Sequence, residues 1–279
     1  MHTTRRQFVA AAVPAAALVQ TPAPSSVTRY VRFQQGALIR YGILDGDRIR
    51  VLRGALFDPP RESGVVRLAE VKLLCPIHPP KVLAVGLNYK SHIGNRPAPK
   101  NCEIFYKPVT CLQNPGEPIV IPKDSKNTHY EGEMVIVAGR RARDVTPEQA
   151  RDVIFGVTCG NDVSERDWQG GPEKDLQWWR AKGADTFGPL GPVIARGLDY
   201  GNLRLETRLN GEVVQKANTN DLLYDCPHIV SAISRYVTIE QGDVIYTGTP
   251  GSTRRMKPGD KVEVDIEGIG VLLNPVAAA

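Results

Sequence analysis

The sequence predicts a mostly β protein of mixed α+β type. The chain of 279 residues contains 26 glycines and 22 prolines, which favours many turns and therefore many strands over a helical bundle. Short runs of alternating apolar and polar residues recur along it, whereas stretches with helical periodicity are few. Its 42% hydrophobic and 23% charged residues are typical of a globular chain and exclude a disordered or collagen-like protein.

The charge balance excludes one class of partner. The chain has 35 Lys and Arg against 30 Asp and Glu, a formal net charge of +5. These positive residues are not gathered into a basic block or a stripe interleaved with aromatic residues, so we expect no nucleic-acid partner. A net charge this small bears on solubility rather than on function.

Residues 1–26 have the layout of an export signal. Arg5-Arg6 and Phe8 precede an Ala- and Val-rich stretch, and small polar residues follow it. The apolar run is short and is interrupted by Pro14, so we expect no stable membrane span. The pattern resembles a bacterial twin-arginine signal and indicates a periplasmic or exported protein. A mitochondrial-type presequence and a disordered Ala-rich tail are the alternatives.

The cysteines do not predict a metal site. Their number is odd, no two are spaced as CxxC, and none has a zinc-like spacing to a histidine. We therefore expect buried, inert thiols. A disulfide between Cys102 and Cys111 is left open.

Residues 27–73 are predicted to form a small N-terminal β-subdomain. Alternating runs at 30–33, 38–41 and 49–52 read as strands, and Asp45-Gly46 is a hairpin signal between two of them. A proline-rich joint follows at residues 76–80. We assign residues 74–279 to the main, catalytic domain.

Within the main domain, local patterns predict further elements. Apolar runs at 81–86, 130–137 and 155–163 are typical of buried strands. Residues 93–114 mix polarity with glycine and proline, so they are expected to form a loop or short helix that covers a site. Thr146-Pro147 begins a helix, with threonine as the N-cap and proline at the first helical position. A second helix is expected at residues 226–236.

Three acidic residues stand at the ends of two of these strands. Glu131 and Glu133 lie two residues apart and so point to the same face of a strand, and Asp162 lies near the end of the next apolar run. Buried carboxylates are unfavourable unless they are paired or bind a cation. Three of them suit Mg²⁺ or Mn²⁺, with Ca²⁺ as a further option, whereas zinc favours His or Cys ligands. Glutamates at this spacing are also common on a solvated strand face.

The motifs of the main domain, taken in order, resemble the fumarylacetoacetate hydrolase (FAH) family. They are GLNYKSH at 86–92, FYKP at 105–108, EGE at 131–133, NDVSERDWQ at 161–169, KGADTF at 182–187, GP at 191–192, NGE at 210–212 and TGTP at 247–250. The resemblance implies an FAH-like mixed β-roll and a homodimer. It also implies a Mg²⁺ or Mn²⁺ site whose ligands are Glu131, Glu133 and Asp162, with Phe105 as an apolar wall.

The resemblance further implies a site for a small 2-keto or 2,4-diketo acid. Lys182 matches the family's active-site lysine and would hold a substrate oxyanion. Arg166 and Gln169 match substrate-binding positions, although a structural role is equally consistent with them. Thr249 would offer its hydroxyl and its backbone N–H to the substrate carboxylate. Lys107 fits a structural role as well as a functional one.

His92 matches a catalytic histidine that works in hydrolytic relatives with a glutamate three residues later. That position is Asn95 in this chain. An asparagine can orient an imidazole, but it cannot exchange a proton or stabilise imidazolium with a full charge. Glu103 lies in the same segment and is the carboxylate that could take the place of the missing glutamate. His92 is therefore expected to activate water less strongly than in those relatives.

The family resemblance and the matched site residues together imply a metal-dependent hydrolase that cleaves a C–C bond. The expected substrate is an acylpyruvate- or fumarylpyruvate-like 2,4-diketo acid, and the expected intermediate is a metal-stabilised enolate. A decarboxylase or isomerase of a related keto- or hydroxy-diacid is an alternative, because these reactions tolerate loss of the carboxylate beside His92. A non-catalytic keto-acid-binding protein is the alternative from another class.

The dyad argument predicts the effect of one substitution. Asn95→Glu is expected to raise water-dependent turnover of acylpyruvates, because it restores a carboxylate three residues after His92. The measurement is the rate of pyruvate release from an acylpyruvate in the presence of Mg²⁺ or Mn²⁺. An unchanged or lower rate counts against the dyad.

Overall fold

The computed structural model describes residues 27–279, so the predicted export signal at residues 1–26 lies outside the described residues. Its strands are β1 Thr28–Gln35, β2 Leu38–Asp45, β3 Arg48–Leu52, β4 Glu62–Arg67, β5 Lys72–Leu73, β6 Val82–Gly86, β7 Glu103–Lys107, β8 Leu112–Gln113, β9 Ile119–Ile121, β10 Thr128–His129, β11 Gly132–Ala138, β12 Ile154–Asn161, β13 Ser164–Glu165, β14 Gly188–Arg196, β15 Arg204–Leu209, β16 Glu212–Asn218, β17 Val244–Tyr246, β18 Lys261–Ile266 and β19 Gly270–Ala278. The α-helices are α1 Lys90–Ile93, α2 Pro147–Ala150, α3 Arg166–Gly170, α4 Trp179–Gly183 and α5 Cys226–Tyr236, and short 3-10 helices are Leu68–Glu70, Val109–Cys111, Arg151–Val153 and Thr219–Asp221. The predicted mostly β fold is confirmed.

A twelve-stranded mixed sheet forms the centre of the structure, with the order β4-β3-β2-β1-β14-β12-β11-β17-β6-β7 along its main path. A five-stranded sheet, β16-β15-β18-β19-β9, packs against it. The N-terminal meander β1–β4 continues the large sheet, because β1 pairs antiparallel with β14 from Thr28↔Arg196 to Tyr30↔Ile194.

β11 lies at the centre of the core, and every one of its residues is buried. Alternate side chains enter two different apolar clusters. Met134 and Ile136 pack in one cluster with the five-stranded sheet and α5, while Val135 and Val137 pack in the other with Tyr246. A strand covered on both faces needs a continuous apolar run. That is the pattern from which the sequence predicted this strand.

The two helices predicted from the sequence are present. Thr146 caps α2 through a capping box with Gln149 and with Pro147 at the first turn. α5 begins after Asp225, whose side chain accepts a hydrogen bond from the His228 backbone N–H. No helix within residues 27–279 combines the length and the apolar content that crossing a membrane would need.

The prediction for residues 93–114 was wrong in part. Residues 103–107 form β7, which pairs antiparallel with β6 from Gly86↔Glu103 to Val82↔Lys107. Phe105 and Lys107 point inwards and Tyr106 points outwards. The inward-facing lysine gives the run a polar residue where a strand pattern requires an apolar one, and this obscured the alternation.

All five cysteines are free thiols, so Cys102 and Cys111 do not form a disulfide. Cys75, Cys111, Cys159 and Cys226 are buried, and Cys102 is half-buried. Burial raises the pKa of the Cys111 thiol to about 11, which disfavours the reactive thiolate.

The glycine at the start of β11 is required by space rather than by backbone conformation. A Cβ at position 132 would overlap Thr207 Oγ1 on β15 and lie 3.2 Å from Thr207 Cβ. Gly132→Ala is therefore expected to lower the free energy of unfolding by about 2 kcal/mol through overpacking. Urea denaturation measures the effect.

Gly170→Ala is the matched control, because a Cβ there meets no atom within 4 Å and alanine favours a helix. Equal stability of the two variants would contradict the packing argument at Gly132.

Candidate active site

Strand pairing brings the three predicted metal ligands together. Glu131 immediately precedes β11, Glu133 is its second residue, and Asp162 immediately follows β12. Gly132 pairs with Asn161 across the two strands, and the Asp162 N–H donates to the Glu131 carbonyl oxygen at 2.8 Å. One ligand oxygen from each of the three carboxylates lies within 4.8 Å of the others.

This acidic triad is almost inaccessible to solvent. Glu131 is 4% exposed, Glu133 1% and Asp162 2%. Like charges this close and this buried repel each other, and a bound cation relieves the repulsion. An all-oxygen donor set suits a hard divalent ion such as Mg²⁺ or Mn²⁺. The residues present therefore fit the metal that the sequence predicted.

Cationic side chains neutralise two members of the triad. Lys182 Nζ donates to Glu131 Oε2 and to Asp162 Oδ2, each at 2.6 Å. Lys107 Nζ donates to Asp162 Oδ1 at 2.6 Å, and Arg166 Nη2 donates to Glu131 Oε1. Lys107 is thus part of the site, which the sequence had left undecided. The structure identifies it, because Lys107 occupies an inward-facing position of β7.

Glu133 has a different environment from its neighbours. Within residues 27–279 no lysine or arginine forms an ion pair with it, and it accepts one backbone hydrogen bond, from Gly248 N–H at 2.7 Å. Burial and the charges of Asp162 and Glu131 raise the pKa of Glu133 well above its usual value. Glu133 is therefore the carboxylate that gains most from a bound cation.

The pKa values of Glu131 and Lys182 move in the directions that favour their charged forms. Burial opposes ionisation of Glu131, but the charges of Lys182 and Arg166 outweigh it and lower its pKa. Burial also opposes the charge on Lys182, yet Asp162 and Glu131 raise the pKa of this lysine. Both groups therefore stay ionised around neutral pH.

Short helices place the remaining polar residues. Lys182 lies on α4, after Trp178, whose backbone is left-handed at φ 55°. Its Nζ lies 5.3 Å from the centre of the Phe105 ring, and Trp178 meets that ring edge-on at 5.5 Å between centroids. Phe105 thus places an apolar ring beside the lysine; its role as a wall for the substrate stays a prediction.

Arg166 and Gln169 lie on α3, directly after β13. Arg166 Nη1 donates to Gln169 Oε1 at 2.7 Å, and Arg166 Nη2 donates to Thr253 Oγ1 at 2.8 Å. Because Arg166 also contacts Glu131, it connects the acidic triad to the loop that carries Thr253. The two residues consequently hold each other at the edge of the site.

The turn at residues 247–250 lies against the start of β11. Thr247 N–H donates to the Met134 carbonyl oxygen at 3.1 Å, and Thr249 Oγ1 donates to the Gly132 carbonyl oxygen at 2.9 Å. Gly248 has φ 104°, and a Cβ there would lie 2.8 Å from Asn88 Cβ. Glycine is required at this position for both reasons. The turn thus brings the Gly248 N–H to Glu133 and places Thr249 beside it.

His92 lies on α1 and bonds to backbone rather than to a carboxylate. Its Nδ1 lies 2.7 Å from the Gly251 carbonyl oxygen. Asn95 is exposed and does not line the cavity described below. A glutamate at position 95 would therefore act on His92 only if the segment around it moved.

All of the predicted site residues line one cavity of about 390 Å³. They are His92, Phe105, Glu131, Glu133, Asp162, Arg166, Gln169, Lys182 and Thr249. The cavity is also lined by residues that the sequence did not identify, namely Val85, Gly86, Leu87, Arg96, Gly170 and Trp178. The convergence is a finding of the structure, whereas the role assigned to each residue stays a prediction.

Residues 81–277 match the family described as "Fumarylacetoacetate (FAA) hydrolase C-terminal". The chain belongs to this family. Residues 28–76 match a second family, described as "Rv2993c-like, N-terminal". The FAH family match covers every residue of the candidate site, from His92 to Thr249.

Similar FAH proteins differ in the reactions that their names state. A 5-carboxymethyl-2-hydroxymuconate delta-isomerase from Mycobacterium smegmatis is 41% identical, with a TM-score of 0.84 over 90% of this chain and 100% of that one. The mitochondrial oxaloacetate tautomerase fahd2 of Xenopus laevis is 36% identical over 225 residues, which cover 76% of this chain and 70% of that one. Maleylpyruvate hydrolase from Sphingobium sp. SYK-6, solved with manganese(II) and pyruvate, is 28% identical, with a TM-score of 0.75 over 90% of this chain and 99% of that one.

The acidic triad predicts how metal binding responds to substitution. Glu133→Gln and Asp162→Asn are each expected to weaken Mn²⁺ binding by more than about tenfold, because each removes an anionic ligand. Isothermal titration calorimetry measures the affinity. Glu133→Gln should not lower the melting temperature of the metal-free protein, because it removes a carboxyl group whose charged form is disfavoured by burial and by Asp162 and Glu131.

Glu103→Gln is the matched control, since Glu103 is an exposed carboxylate on β7 that does not line the cavity. Unchanged Mn²⁺ affinity in both triad variants would refute the metal site.

Proposed function

We propose that the protein is a divalent-metal-dependent enzyme that enolises a 2-oxo dicarboxylic acid, catalysing keto–enol tautomerisation of an oxaloacetate-type substrate. One observation carries the proposal: the cavity combines an oxygen-ligand triad with His92, whose ring bonds to a backbone carbonyl. Among the cavity-lining residues, all from the described part of the chain, the only carboxylates are those of the triad. Enolisation needs an acceptor for a carbon-bound proton but no activated water.

The chain's own groups fit the charges of this reaction. When bound by Glu131, Glu133 and Asp162, a divalent ion supplies Lewis-acid chemistry at the 2-oxo oxygen. Lys182 has three N–H donors and uses two of them on Glu131 and Asp162. The third has no acceptor in the part of the chain that the structure describes, and it can donate to the oxygen on which negative charge develops during enolisation. The raised pKa of Lys182 keeps this donor charged.

His92 is suited to hold the proton that leaves carbon. The Gly251 carbonyl oxygen can only accept, so Nδ1 carries the hydrogen of that contact. In the neutral ring, Nε2 is then left as the proton acceptor. In the proposed reaction Nε2 takes the proton from the carbon next to the 2-oxo group, the enolate oxygen gains a proton from water, and the imidazolium gives its proton back to water. The enol thus forms and neutral His92 is restored; the reverse reaction runs through the same transfers.

Cationic residues at the cavity support a dicarboxylate as substrate. Arg166 lines it beside the triad, and Arg96 lines it near α1. Arg96 donates from Nε to the Ile93 carbonyl oxygen at 3.1 Å and from Nη2 to the His92 carbonyl oxygen at 3.2 Å. Among residues 27–279 its guanidinium donates to these backbone oxygens and to no carboxylate, so it can still attract a carboxylate.

Hydrolysis of an acylpyruvate is the second candidate. It is favoured by the likeness to maleylpyruvate hydrolase and by the position of His92 in the cavity. In this reaction His92 would have to activate water with the Gly251 carbonyl as its partner. A carbonyl cannot accept the proton from Nδ1, so such a base is weaker than a His–carboxylate pair.

A product assay separates the candidates. The metal-loaded protein is incubated with oxaloacetate, with pyruvate and with an acylpyruvate, and NMR follows both exchange of the carbon-bound hydrogens for deuterium and the products. Faster oxaloacetate enolisation with an intact carbon skeleton supports the tautomerase. Pyruvate and carbon dioxide from oxaloacetate indicate a decarboxylase, pyruvate and a free acid from the acylpyruvate indicate the hydrolase, and binding without turnover indicates a keto-acid-binding protein.

The proton-acceptor role predicts the effect of His92→Asn. Asparagine can still donate to the Gly251 carbonyl but has no basic nitrogen, so the enolisation rate is expected to fall at least about 100-fold. Mn²⁺ affinity should not change, since His92 is not part of the triad. The measurement is kcat for oxaloacetate tautomerisation.

His228→Asn serves as the control, because His228 is an exposed histidine on α5 that pairs with Asp225. A His92→Asn variant with undiminished kcat would rule out His92 as the acceptor.

We also propose that the protein is exported through the twin-arginine route and works as a homodimer. The support for export is the Arg5-Arg6 motif, and the support for a dimer is membership of the FAH family. Cell fractionation after replacement of both arginines by lysine tests the first proposal, and light scattering of the purified protein tests the second.

A further inference from the structure

Gln215 is a buried polar residue that the sequence analysis did not identify. It lies on β16, the outer strand of the five-stranded sheet, and it is 4% exposed. Burying an amide side chain is unfavourable unless its hydrogen-bonding groups find partners. The hydrogen-bond partners of the Gln215 side chain lie at the active site, whereas its backbone pairs within its own sheet.

The Gln215 amide bonds to two parts of the site at once. Its Oε1 accepts from Gly132 N–H at 3.1 Å. Its Nε2 donates to Thr249 Oγ1 at 2.8 Å and to the Pro250 carbonyl oxygen at 2.6 Å. If the amide were flipped, its NH₂ group would face the Gly132 N–H and its oxygen would face the Pro250 carbonyl oxygen. Neither pair can form a hydrogen bond, so these partners define the orientation of the amide.

Thr249 completes a closed ring of hydrogen bonds. Its Oγ1 accepts from Gln215 and donates to the Gly132 carbonyl oxygen at 2.9 Å. The N–H and the C=O of Gly132 are therefore both used within the ring. Gly132 is the residue between the metal-ligand candidates Glu131 and Glu133, so the ring ties Thr249 to the strand that carries them.

The ring corrects the role predicted for the Thr249 hydroxyl. Because Gln215 donates into Oγ1, the hydroxyl hydrogen points to the Gly132 carbonyl and is not available to a substrate carboxylate. Thr249 still lines the cavity, and no acceptor for its backbone N–H occurs within residues 27–279. That N–H is the donor that Thr249 retains for a ligand.

We infer that Gln215 is a positioning residue that sets Thr249 for substrate binding by locking it to Gly132. The inference rests on the proposed function in one respect, namely that a 2-oxo acid binds in this cavity. Gln215 itself does not line the cavity, so it acts through Thr249 and not by contact with the substrate.

A double-mutant cycle tests the inference. The variants are Gln215→Met, which keeps the side-chain length without the amide, Thr249→Val, and the two combined. The probe is oxalate, a planar analogue of a 2-oxo acid, titrated by calorimetry into the Mn²⁺-loaded protein. Loss of the ring is expected to weaken oxalate binding about tenfold in each single variant.

The double variant is expected to bind oxalate no more weakly than Thr249→Val alone, because Gln215 acts through Thr249. With oxaloacetate, KM should rise more than kcat falls. Gln241→Met is the matched control, since Gln241 is an exposed glutamine that donates to a backbone carbonyl, that of Gly139. If Gln215→Met does not fold, Gln215→Glu replaces it, because it keeps the acceptor for Gly132 N–H and, when ionised, loses the donors to Thr249 and Pro250.

The possible outcomes separate this inference from the proposed function. Unchanged oxalate affinity in Gln215→Met, or additive losses in the double variant, would overturn the positioning role even if the enzyme tautomerises oxaloacetate. A wild-type protein that binds oxalate but enolises no 2-oxo acid would instead refute the proposed function. The oxalate cycle would still decide the role of Gln215 in that case.

Discussion

Three carboxylates confined in one buried site impose the constraint on which the rest of this structure depends. Lys182 bridges Glu131 and Asp162, and Lys107 approaches Asp162 from the other side. Glu133 receives only a backbone N–H. Partial neutralisation of this kind keeps the acids together in the folded chain while leaving one of them in need of a cation.

The architecture around the triad follows from this requirement. The acids can converge only where β11 begins and β12 ends, because antiparallel pairing places those two ends side by side. The lysines must then come from other elements, β7 and α4, that lie over the same edge. Backbone donors come from the turn at residues 247–250, whose glycine allows the close approach. Each part of the site therefore comes from a different region of the main domain.

The parts of this arrangement that follow from local pattern could be predicted, and those that depend on distant contacts could not. Period-two spacing placed Glu131 and Glu133 on one face, and the apolar run of β11 identified a strand buried on both sides. The strand at residues 103–107 was missed because Lys107 points inwards, towards an acid 55 residues away in the sequence. Gln215 carries no local signal, since its partners Gly132 and Thr249 lie on separate segments. The grouping of His92, Lys182 and Thr249 came from the family resemblance rather than from the pattern around each residue.

The pairing of β1 with β14 has a consequence for the order in which the chain can fold. Thr28 meets Arg196 in that ladder, so the meander can attach to the large sheet only after the chain has left the ribosome as far as Arg196, 168 residues later. Closing so long a loop is entropically unfavourable and slow compared with forming local hairpins. Until it closes, residues 28–30 of β1 lack the strand that they pair with in the folded protein, which leaves that part of the β1 edge open to pairing with a wrong strand.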